Sequence, residues 1–577
     1  MKGIYQSLLR LLPVLTLFFL SGSGFAQKRG VHRQQGSALG QQRSAPAQHH
    51  ATGARPNIIF ILVDDLGQRD LGVYGSSFYE TPNLDRLASE GMRFTDAYAG
   101  SPICSPSRSS IMTGQYPTRT GITDWIVGRQ NQEGPEPDNQ LLAQPFEFDL
   151  DTAQVTIAEA LKQGGYSTFF AGKWHLGLSE PYWPENQGFE VNKGGWAAGN
   201  PKDYGMGGYF SPYHNPKLPD GPAGEFLTDR LTTEAIQYIL QNKNAAKPFF
   251  VELSFYAVHT PLEAKPEYIK KFKEKAHAMG LDSVQQFVRD PWMRPGGKER
   301  IVQANPVYAG LLYSVDENVG RIMTALKQSG LSDNTVVIFT SDNGGLSTSE
   351  GSPTSNAPLR YGKGWNYEGG VRIPLIVKWP KTAAAGAVCH SPVINTDLYP
   401  TFLQMAGMPL MPAQHKDGVS MSPLLKGESP GENPGENPKG QRVLYWHYPH
   451  YSNQGGSPSS ALRAGDWKLV QFYENDHIEL YNLAWDPGEQ RDLANAFPEK
   501  TGELLELLNA WKKETKAKIP LVNPYYNPNY REVMKARQQT FRQYLSDYDT
   551  LFDRSFFDPQ LMDKLNKKFH DAYNPHK

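Results

Sequence analysis

The chain has 577 residues, more than one typical domain contains, so we expect one large domain and a smaller one. A hydrophobic content of 39% and a charged content of 20% indicate a globular protein with a sizeable core. The formal net charge is −1, so no overall field favours nucleic acid or an anionic membrane. Recognition of an anion must therefore depend on local groups, and we expect no nucleic-acid partner.

The first 26 residues have the features of an export signal. Lys2 supplies a positive charge, residues 11–20 form an apolar run too short to span a bilayer, and small residues before Gln27 suit cleavage. We therefore predict a signal peptide over 1–26, a periplasmic or secreted protein, and no membrane insertion. Residues 27–55 are rich in Gln, Arg, Ser and His, which predicts a disordered leader.

A large N-terminal domain is predicted over 56–430, and it begins with a buried strand. Residues 56–63 form a continuous apolar, β-branched run, which is typical of a strand in a parallel sheet. Asp64 and Asp65 follow directly, at the strand end where open α/β sheets bind their ligands. Adjacent carboxylates repel each other unless a cation holds them, so a hard metal ion is expected; the alternative is an aspartate pair that caps a loop.

The segment Cys104-Ser-Pro-Ser-Arg108 leads into a predicted helix. Its serines suit an N-cap and Pro106 suits a first helical position, so an ordinary turn is one interpretation. The sequence has two cysteines, Cys104 and Cys389, and an even number in an exported protein allows a disulfide. A fold of this size does not need that bridge for stability.

Two further buried strands are followed by ionisable side chains. Residues 167–171 precede Lys173 and His175, which are two positions apart and can share one face of an extended segment. A cation and an imidazole in that arrangement suit a bound oxyanion. Residues 248–255 form the next predicted strand, and His259 follows it.

Residues 188–229 are dense in Gly, Pro, Trp and Tyr and have few periodic apolar positions. We predict that they form long loops over a pocket. The candidate substrate-binding residues in these loops are Trp196, Asn200, Tyr209 and His214.

A fourth buried strand repeats the arrangement of the first. Residues 334–340 are apolar and β-branched, and Asp342 and Asn343 follow them. Lys363 lies in the next polar segment, before another predicted strand over 375–379. Acids, an amide, histidines and lysines are therefore expected at one edge of one sheet.

The C-terminal part reads as a separate small domain over 441–532. A doubled Gly-Glu-Asn-Pro repeat predicts a linker loop over 431–440. Antiparallel strands are predicted over 442–451, 461–473 and 477–483, with a helix over 500–518. Residues 533–577 are predicted to form a helical extension without an assigned role.

His447 and His450 lie close together on the first of these strands. They either fill the core between the domains or reach over the pocket to form hydrogen bonds with hydroxyl groups of a substrate. Buried imidazoles need hydrogen-bond partners, which makes two such residues costly in a core. We therefore include both residues among the substrate-binding candidates.

These motifs together resemble those of the type I, formylglycine-dependent sulfatases, most closely the exported bacterial sulfatases that act on glycans. The resemblance covers most of the chain, with no departure at the catalytic positions. It implies an alkaline-phosphatase-like α/β fold: a large, mixed, mostly parallel sheet between helices, with a smaller C-terminal antiparallel-sheet subdomain. The matching motifs are Asp64-Asp65, Cys104-Ser-Pro-Ser-Arg108, Gly172-Lys-Trp-His-Leu-Gly177, Asp342-Asn-Gly344, Glu368-Gly-Gly-Val-Arg-Ile-Pro374 and Asp397-Leu-Tyr-Pro400.

The resemblance implies a covalent mechanism. A dedicated maturing enzyme would oxidise Cys104 to formylglycine, whose hydrate attacks sulfur to give a sulfo-enzyme intermediate and then expels sulfate. It also implies a Ca²⁺ site, with Mg²⁺ as the alternative ion. The implied metal ligands are Asp64, Asp65, modified Cys104, Asp342 and Asn343.

The remaining roles are also implied by the resemblance. Arg108 would hold the diol, while Lys173 and Lys363 neutralise sulfate oxygens. His259, with Lys363, would protonate the leaving oxygen, and His175 would take the proton as the aldehyde re-forms. The division of roles between the two histidines stays open.

The expected substrate is a sulfated carbohydrate. Residues 194–200 and 208–212 resemble those of sulfatases that act on 4-O-sulfated galactose or N-acetylgalactosamine, which implies exo action on such units. One alternative is a phosphomonoester or phosphonate-ester hydrolase of the same superfamily. Another is a non-catalytic binder of sulfated glycans, if Cys104 is never oxidised.

Overall fold

The computed structural model describes residues 55–128, 138–289, 297–428 and 442–530. The predicted signal peptide, leader up to residue 54, linker and C-terminal extension lie outside these residues. Within the described ranges, no helix combines the length and the apolar character needed to cross a bilayer.

The regular elements are numbered in chain order. The strands are β1 (Asn57–Val63), β2 (Met92–Tyr98), β3 (Leu141–Leu142), β4 (Ser167–Gly172), β5 (Val191–Lys193), β6 (Phe249–Ser254), β7 (Phe287–Val288), β8 (Glu299–Arg300), β9 (Thr335–Ser341), β10 (Arg372–Lys378), β11 (Ala387–Cys389), β12 (Val393–Ile394), β13 (Val443–Tyr448), β14 (Ser459–Ala464), β15 (Trp467–Phe472), β16 (Ile478–Asn482) and β17 (Leu521–Val522). The helices are α1 (Pro82–Glu90), α2 (Cys104–Thr113), α3 (Pro117–Thr120), α4 (Ile157–Gln163), α5 (Leu227–Gln241), α6 (Pro266–Ala278), α7 (Pro306–Gln328), α8 (Glu368–Val371), α9 (Leu398–Met405), α10 (Ser422–Leu425) and α11 (Pro498–Glu514).

In the described ranges, the central sheet has nine strands in the order β11, β2, β10, β9, β1, β6, β4, β5, with β12 also paired to β2. Strand β10 is antiparallel to both its neighbours, while the other pairings are parallel. The adjacent parallel strands β9, β1, β6 and β4 therefore all end at one edge of the sheet. The predicted strands that precede the acidic and basic motifs are confirmed.

The alternation of side chains along β1 explains why helices cover both faces of the sheet. All seven residues of β1 are buried. Ile59 and Ile61 pack in the core formed with α1, α5, α6 and α7, while Ile58 and Phe60 pack in the core formed with α2, α4 and α9. The predicted mixed α/β fold, with a smaller antiparallel subdomain, is confirmed.

The small domain is an antiparallel sheet in the order β13, β14, β15, β16, against which α11 packs. The single strand predicted over 461–473 was wrong, because this segment contains a hairpin. Gly465, with φ of +59°, turns the chain between β14 and β15. A glycine tolerates this left-handed backbone without strain, and Gly-Asp is a common hairpin turn.

A fully buried ion-pair group joins the small sheet to the central domain. Lys468 on β15 lies 3.0 Å from a Glu368 carboxylate oxygen and 2.8 Å from a Glu489 carboxylate oxygen. Glu368 begins α8, which immediately precedes β10, and it also accepts from the Tyr98 hydroxyl at 2.8 Å. The three charged side chains have no measurable exposure. Lys468 is the cation of Glu489 and shares Glu368 with Arg372, whose Nη1 lies 3.3 Å from that carboxylate.

We expect Lys468→Met to destabilise the protein by about 3–5 kcal/mol, because it leaves Glu489 buried without its cation and removes one of the two cations beside Glu368. Thermal unfolding followed by circular dichroism measures the effect. The matched control is Lys270→Met, which breaks a helix-surface pair with Glu274 whose side chains are 79% and 69% exposed; it should cost less than about 1 kcal/mol. Equal melting temperatures for the two variants would contradict the role of Lys468.

Candidate active site

Cys104 is the first residue of α2, and all ten residues of this helix are buried. The thiol is 3% exposed, and its Sγ lies 3.5 Å from Nδ1 of His175. Burial raises the pKa of the Cys104 thiol, while Lys173 and Lys363 oppose that shift. Cys104 and Cys389 are both free, so the alternative disulfide is not formed.

Three carboxylates meet where the predicted strands end. Ligand oxygens of Asp64, Asp65 and Asp342 all lie within 4.8 Å of one another, and all three residues are buried. Burial raises the pKa of Asp64 well above its ordinary value, against the effect of Lys173. Burial acts in the same direction on Asp65, but Lys363 and His259 outweigh it, so its pKa is lowered.

The amide of Asn343 completes an oxygen-rich cluster. Its Nδ2 donates to Oδ1 of Asp65 at 2.8 Å, while its buried Oδ1 has no hydrogen-bond partner. A buried amide oxygen that has no partner and belongs to a residue bonded to this carboxylate cluster fits a cation ligand. The residues present therefore fit a metal site that takes hard oxygen ligands.

Three cations from separate segments lie against these acids. Arg108 donates through Nε to Oδ2 of Asp342 at 2.8 Å, and its Nη2 lies 3.5 Å from Asp64. Nζ of Lys173 lies 2.7 Å from Asp64, and Nζ of Lys363 lies 2.8 Å from Asp65. Three positive and three negative side chains balance, so a metal ion would make the centre electropositive and suited to an anionic ester.

His175 is held from several directions. Its backbone has φ of +56°, a conformation rare outside glycine, and its backbone N–H donates to the carbonyl of Trp196. Its Nε2 is hydrogen-bonded to the carbonyl of Ile126, which leaves Nδ1 facing Cys104. Burial, with Lys173 as the next cause, lowers the pKa of His175 well below its ordinary value.

His259 lies on the other side of the cluster. Its Nε2 is 2.9 Å from Nζ of Lys363 and 3.5 Å from Oδ2 of Asp65. Burial lowers the pKa of His259 to about 4, and Lys363 acts in the same direction while Asp65 opposes it. A lysine and a histidine in direct contact form a pair that can exchange a proton.

A pocket of about 230 Å³ lies above the acidic cluster, and its floor is formed by Cys104, His175, His259 and Lys363. The structure brings together the predicted catalytic and metal-binding residues, either in this floor or directly below it. The residues that line the pocket are Ile103, Cys104, Trp125, His175, Gly199, Asn200, Asp203, His259, Glu350, Lys363, Asn453 and Gln454.

The predicted substrate-binding residues of the central domain have different positions. Asn200 lines the pocket. Trp196 is half-buried behind His175, and His214 is exposed with its ring 3.7 Å from Asp220. Tyr209 was wrongly predicted to face the pocket, because its ring is buried and its hydroxyl donates to backbone carbonyls of Tyr256 and His259.

The two histidines of the small domain are also corrected. His447 is 3% exposed and hydrogen-bonded to Ser460 and to the carbonyl of Lys518. His450 is 2% exposed, and its Nε2 lies 2.9 Å from the Thr123 hydroxyl. Both rings have partners inside the protein, which makes them core residues, as the alternative interpretation held.

The small domain nevertheless contacts the segment that orients His175. The Tyr448 hydroxyl donates to Oδ1 of Asp124 at 2.9 Å, and the same oxygen accepts from the backbone N–H of Trp125 at 2.9 Å. This turn precedes Ile126, whose carbonyl is bonded to His175. Tyr448 is thus a positioning residue that acts on His175 through residues 124–126.

Sequence reasoning missed several pocket residues because no motif or strand end marks them. Asp203 was the easiest of them to predict from the sequence, because it lies three residues after the predicted pocket residue Asn200, in the same turn. Glu350 lies in a loop between β9 and Lys363. The other missed polar or aromatic residues lie in loops that are distant in sequence from the strand ends that carry the catalytic motifs. The missed residues with polar or aromatic side chains are Trp125, Asp203, Glu350, Asn453 and Gln454, and Ile103 and Gly199 also line the pocket.

Comparisons with known proteins agree with this geometry. A family model described as "Sulfatase" matches residues 56–408, and one described as "N-sulphoglucosamine sulphohydrolase, C-terminal" matches residues 360–517. A sulfatase of Formosa agariphila is 33% identical over 500 residues, which cover 76% of this chain and 84% of that protein. Arylsulfatase J of Mus musculus is 30% identical, with coverage of 88% and 85%.

Solved structures show the same relationship. The structure of Ps i-CgsB in complex with k-i-k-neocarrahexaose matches with a TM-score of 0.62 and 29% identity, and it covers 79% of this chain and 93% of that one. The matches of sequence and structure extend over both domains. The chain described here therefore belongs to the sulfatase family.

Proposed function

We propose that this protein hydrolyses sulfate monoesters on carbohydrates, with position 104 oxidised to formylglycine. The observation that carries the proposal is the position of Cys104, on the pocket floor beside His175 and above a buried oxygen cluster. A formylglycine hydrate supplies two hydroxyls there, one for attack on sulfur and one for the release of sulfate. The maturing enzyme that supplies the oxidant is part of the proposal.

The side chains of this protein have separable tasks in the proposed reaction. Lys173 and Lys363 neutralise charge on the sulfate oxygens, and Arg108 fixes the group at position 104. The Lys363–His259 pair delivers a proton to the leaving sugar oxygen, and His175 accepts a proton from position 104. Sγ of Cys104 lies 3.5 Å from Nδ1 of His175, which suits the second transfer. Nζ of Lys363 lies 2.9 Å from Nε2 of His259, so these two side chains can share the proton for the first transfer.

The proposed metal ion is Ca²⁺, held by Asp64, Asp65, Asp342, Asn343 and the modified residue 104. When bound, it would polarise the sulfate ester and stabilise negative charge at the reacting centre. The oxygen-only character of the described ligands favours Ca²⁺ or Mg²⁺ over softer metals.

The proposed substrate is a terminal sulfated galactose or N-acetylgalactosamine, attacked from the chain end. Relatives named N-acetylgalactosamine-6-sulfatase, such as that of Mus musculus at 32% identity, support this sugar class. A solved relative at 25% identity is described with its substrate D-glucosamine-2-N,6-O-disulfate. The 4-O position predicted from the sequence remains a prediction, to be compared directly with the 6-O position.

Export by the N-terminal segment is likewise a proposal. The predicted signal peptide would deliver the protein to the periplasm or outside the cell, where sulfated polysaccharides occur.

Hydrolysis of a matched pair of aryl sulfate and aryl phosphate tests the reaction class. A higher kcat/KM on the phosphate would replace the sulfatase proposal with the phosphomonoesterase alternative.

We expect Cys104→Ala to lower kcat/KM on an aryl sulfate by roughly 10⁴-fold or more, because the nucleophile is removed. Cys389→Ala is the matched control, since Cys389 is the other free cysteine and lines no part of the pocket. Mass spectrometry of the peptide that contains residue 104 checks the oxidation independently. Full activity of the alanine variant, or an active enzyme with an unmodified thiol, would refute this mechanism.

We expect Ca²⁺ to raise the melting temperature of the chelator-treated protein, because a ligand that binds only the folded state stabilises it. At a concentration 100-fold above its Kd, the stabilisation is about 2.7 kcal/mol. Asn343→Leu should remove most of this shift, whereas Asn343→Asp, which keeps an oxygen ligand, should retain it. An equal shift in all three proteins would argue against a site at Asn343.

We expect Tyr448→Phe to lower kcat several-fold with little change in KM, because the turn that orients His175 loses one hydrogen bond. The associated loss of stability should be about 1 kcal/mol. Tyr473→Phe is the control, since it removes a hydroxyl that is bonded to Ser460 within the small sheet. A similar kcat for both variants would show that Tyr448 has only a structural role.

A further inference from the structure

The walls of the active-site pocket carry net negative charge, whereas the acids and cations at its base balance one another and would become electropositive with a bound metal ion. Among the described residues that line the pocket, Lys363 is the cation, while Asp203 and Glu350 are the carboxylates. The other polar wall residues are the neutral amides Asn200, Asn453 and Gln454. A sulfated sugar therefore meets cationic groups at its sulfate and acidic or neutral groups around its ring.

Asp203 is held beside His175 by the turn that contains it. Its Oδ2 accepts from the backbone N–H groups of Gly199 at 2.7 Å and Asn200 at 2.9 Å. A Cβ atom on Gly199 would lie 2.5 Å from Cε1 of His175, so this turn packs directly on the catalytic ring. The carboxylate of Asp203 is thus fixed close to the reacting centre.

Glu350 occupies the side of the pocket near His259. Its Oε1 accepts from Nε2 of Gln454 at 2.9 Å, and its Oε2 accepts from the hydroxyl of Thr260, the residue after His259. Burial would raise the pKa of Glu350, but Lys363 and His259 outweigh it and lower the pKa. Glu350 therefore presents a fixed negative charge to the pocket.

We propose that Asp203 and Glu350 select sugar units whose only anionic group is the scissile sulfate. The inference rests on the proposed function and adds the substrate class. Hydroxyls of a neutral ring can donate to both carboxylates, whereas a second sulfate or a uronate carboxylate on the same unit would face like charges. Glu350 is exposed at the pocket and Asp203 is half-buried, so the two repulsions together lower affinity by about tenfold.

The test compares kcat/KM on N-acetylgalactosamine 4-sulfate, 6-sulfate and 4,6-disulfate. We expect the wild type to prefer its better monosulfate over the disulfate by about tenfold, mainly through KM. Glu350→Gln should reduce this preference about three- to tenfold, and Asp203→Asn provides a second, independent variant. Added salt should also reduce the preference of the wild type, because it screens the repulsion.

Glu274→Gln is the control for a change in net charge, since Glu274 is 69% exposed on α6 and should leave the preference unchanged. An equal or higher rate of the wild type on the disulfate would overturn the inference. So would an unchanged preference in both pocket variants, provided that they melt like the wild type. Activity on an aryl sulfate but on none of these sugar sulfates would refute the sugar class on which the inference rests. Inactivity on the aryl sulfate as well would refute the proposed function itself.

Discussion

Each buried carboxylate at the carboxyl edge of the sheet lies against a cation, and the rest of the site depends on this pairing. An unpaired charge in that position would cost several kcal/mol. The three cations come from α2, from the segment after β4 and from the loop before α8. Their pairing with the acids that directly follow β1 and β9 therefore holds three separate segments, and the catalytic residues on them, in one arrangement. The pairs are Arg108 with Asp342, Lys173 with Asp64, and Lys363 with Asp65.

The small domain contributes to both the chemistry and the shape of the pocket. Tyr448 supports the turn behind His175, and Gln454 supports Glu350 on the pocket wall. The floor comes from the segments that follow the parallel strands, from the start of α2 and from the loop before α8. Because floor and wall come from different parts of the chain, the wall can change with little effect on the reacting groups. A family that keeps one reaction but varies its substrates needs this separation.

The sequence predicted the floor better than the wall, for a physical reason. The strands β1, β4, β6 and β9 are continuous apolar runs, and parallel neighbours bring their carboxyl ends together, so polar residues after such runs converge. The wall residues Asp203 and Glu350 lie in irregular loops, where no periodicity shows which side chain faces the pocket. The predictions that His447 and Tyr209 contact the substrate were wrong for a different reason. Polar aromatic residues are equally suited to a sugar contact and to a hydrogen-bonded core, so their type does not show which role they have.

Strand β10 runs against its neighbours, so its first residues, rather than its last, lie at the active edge. Lys363 therefore reaches Asp65 from a part of the chain that is synthesised long after it. Until that segment emerges from the ribosome, Asp65 lacks its cation and the acidic edge remains repulsive. Such distant pairings slow folding, since the ordering of a long loop precedes the contact. We therefore expect a chain that is truncated before β10 to leave the central sheet incomplete and its acidic edge without full charge compensation. Such a chain should fail to fold, and should not merely have a lower catalytic rate.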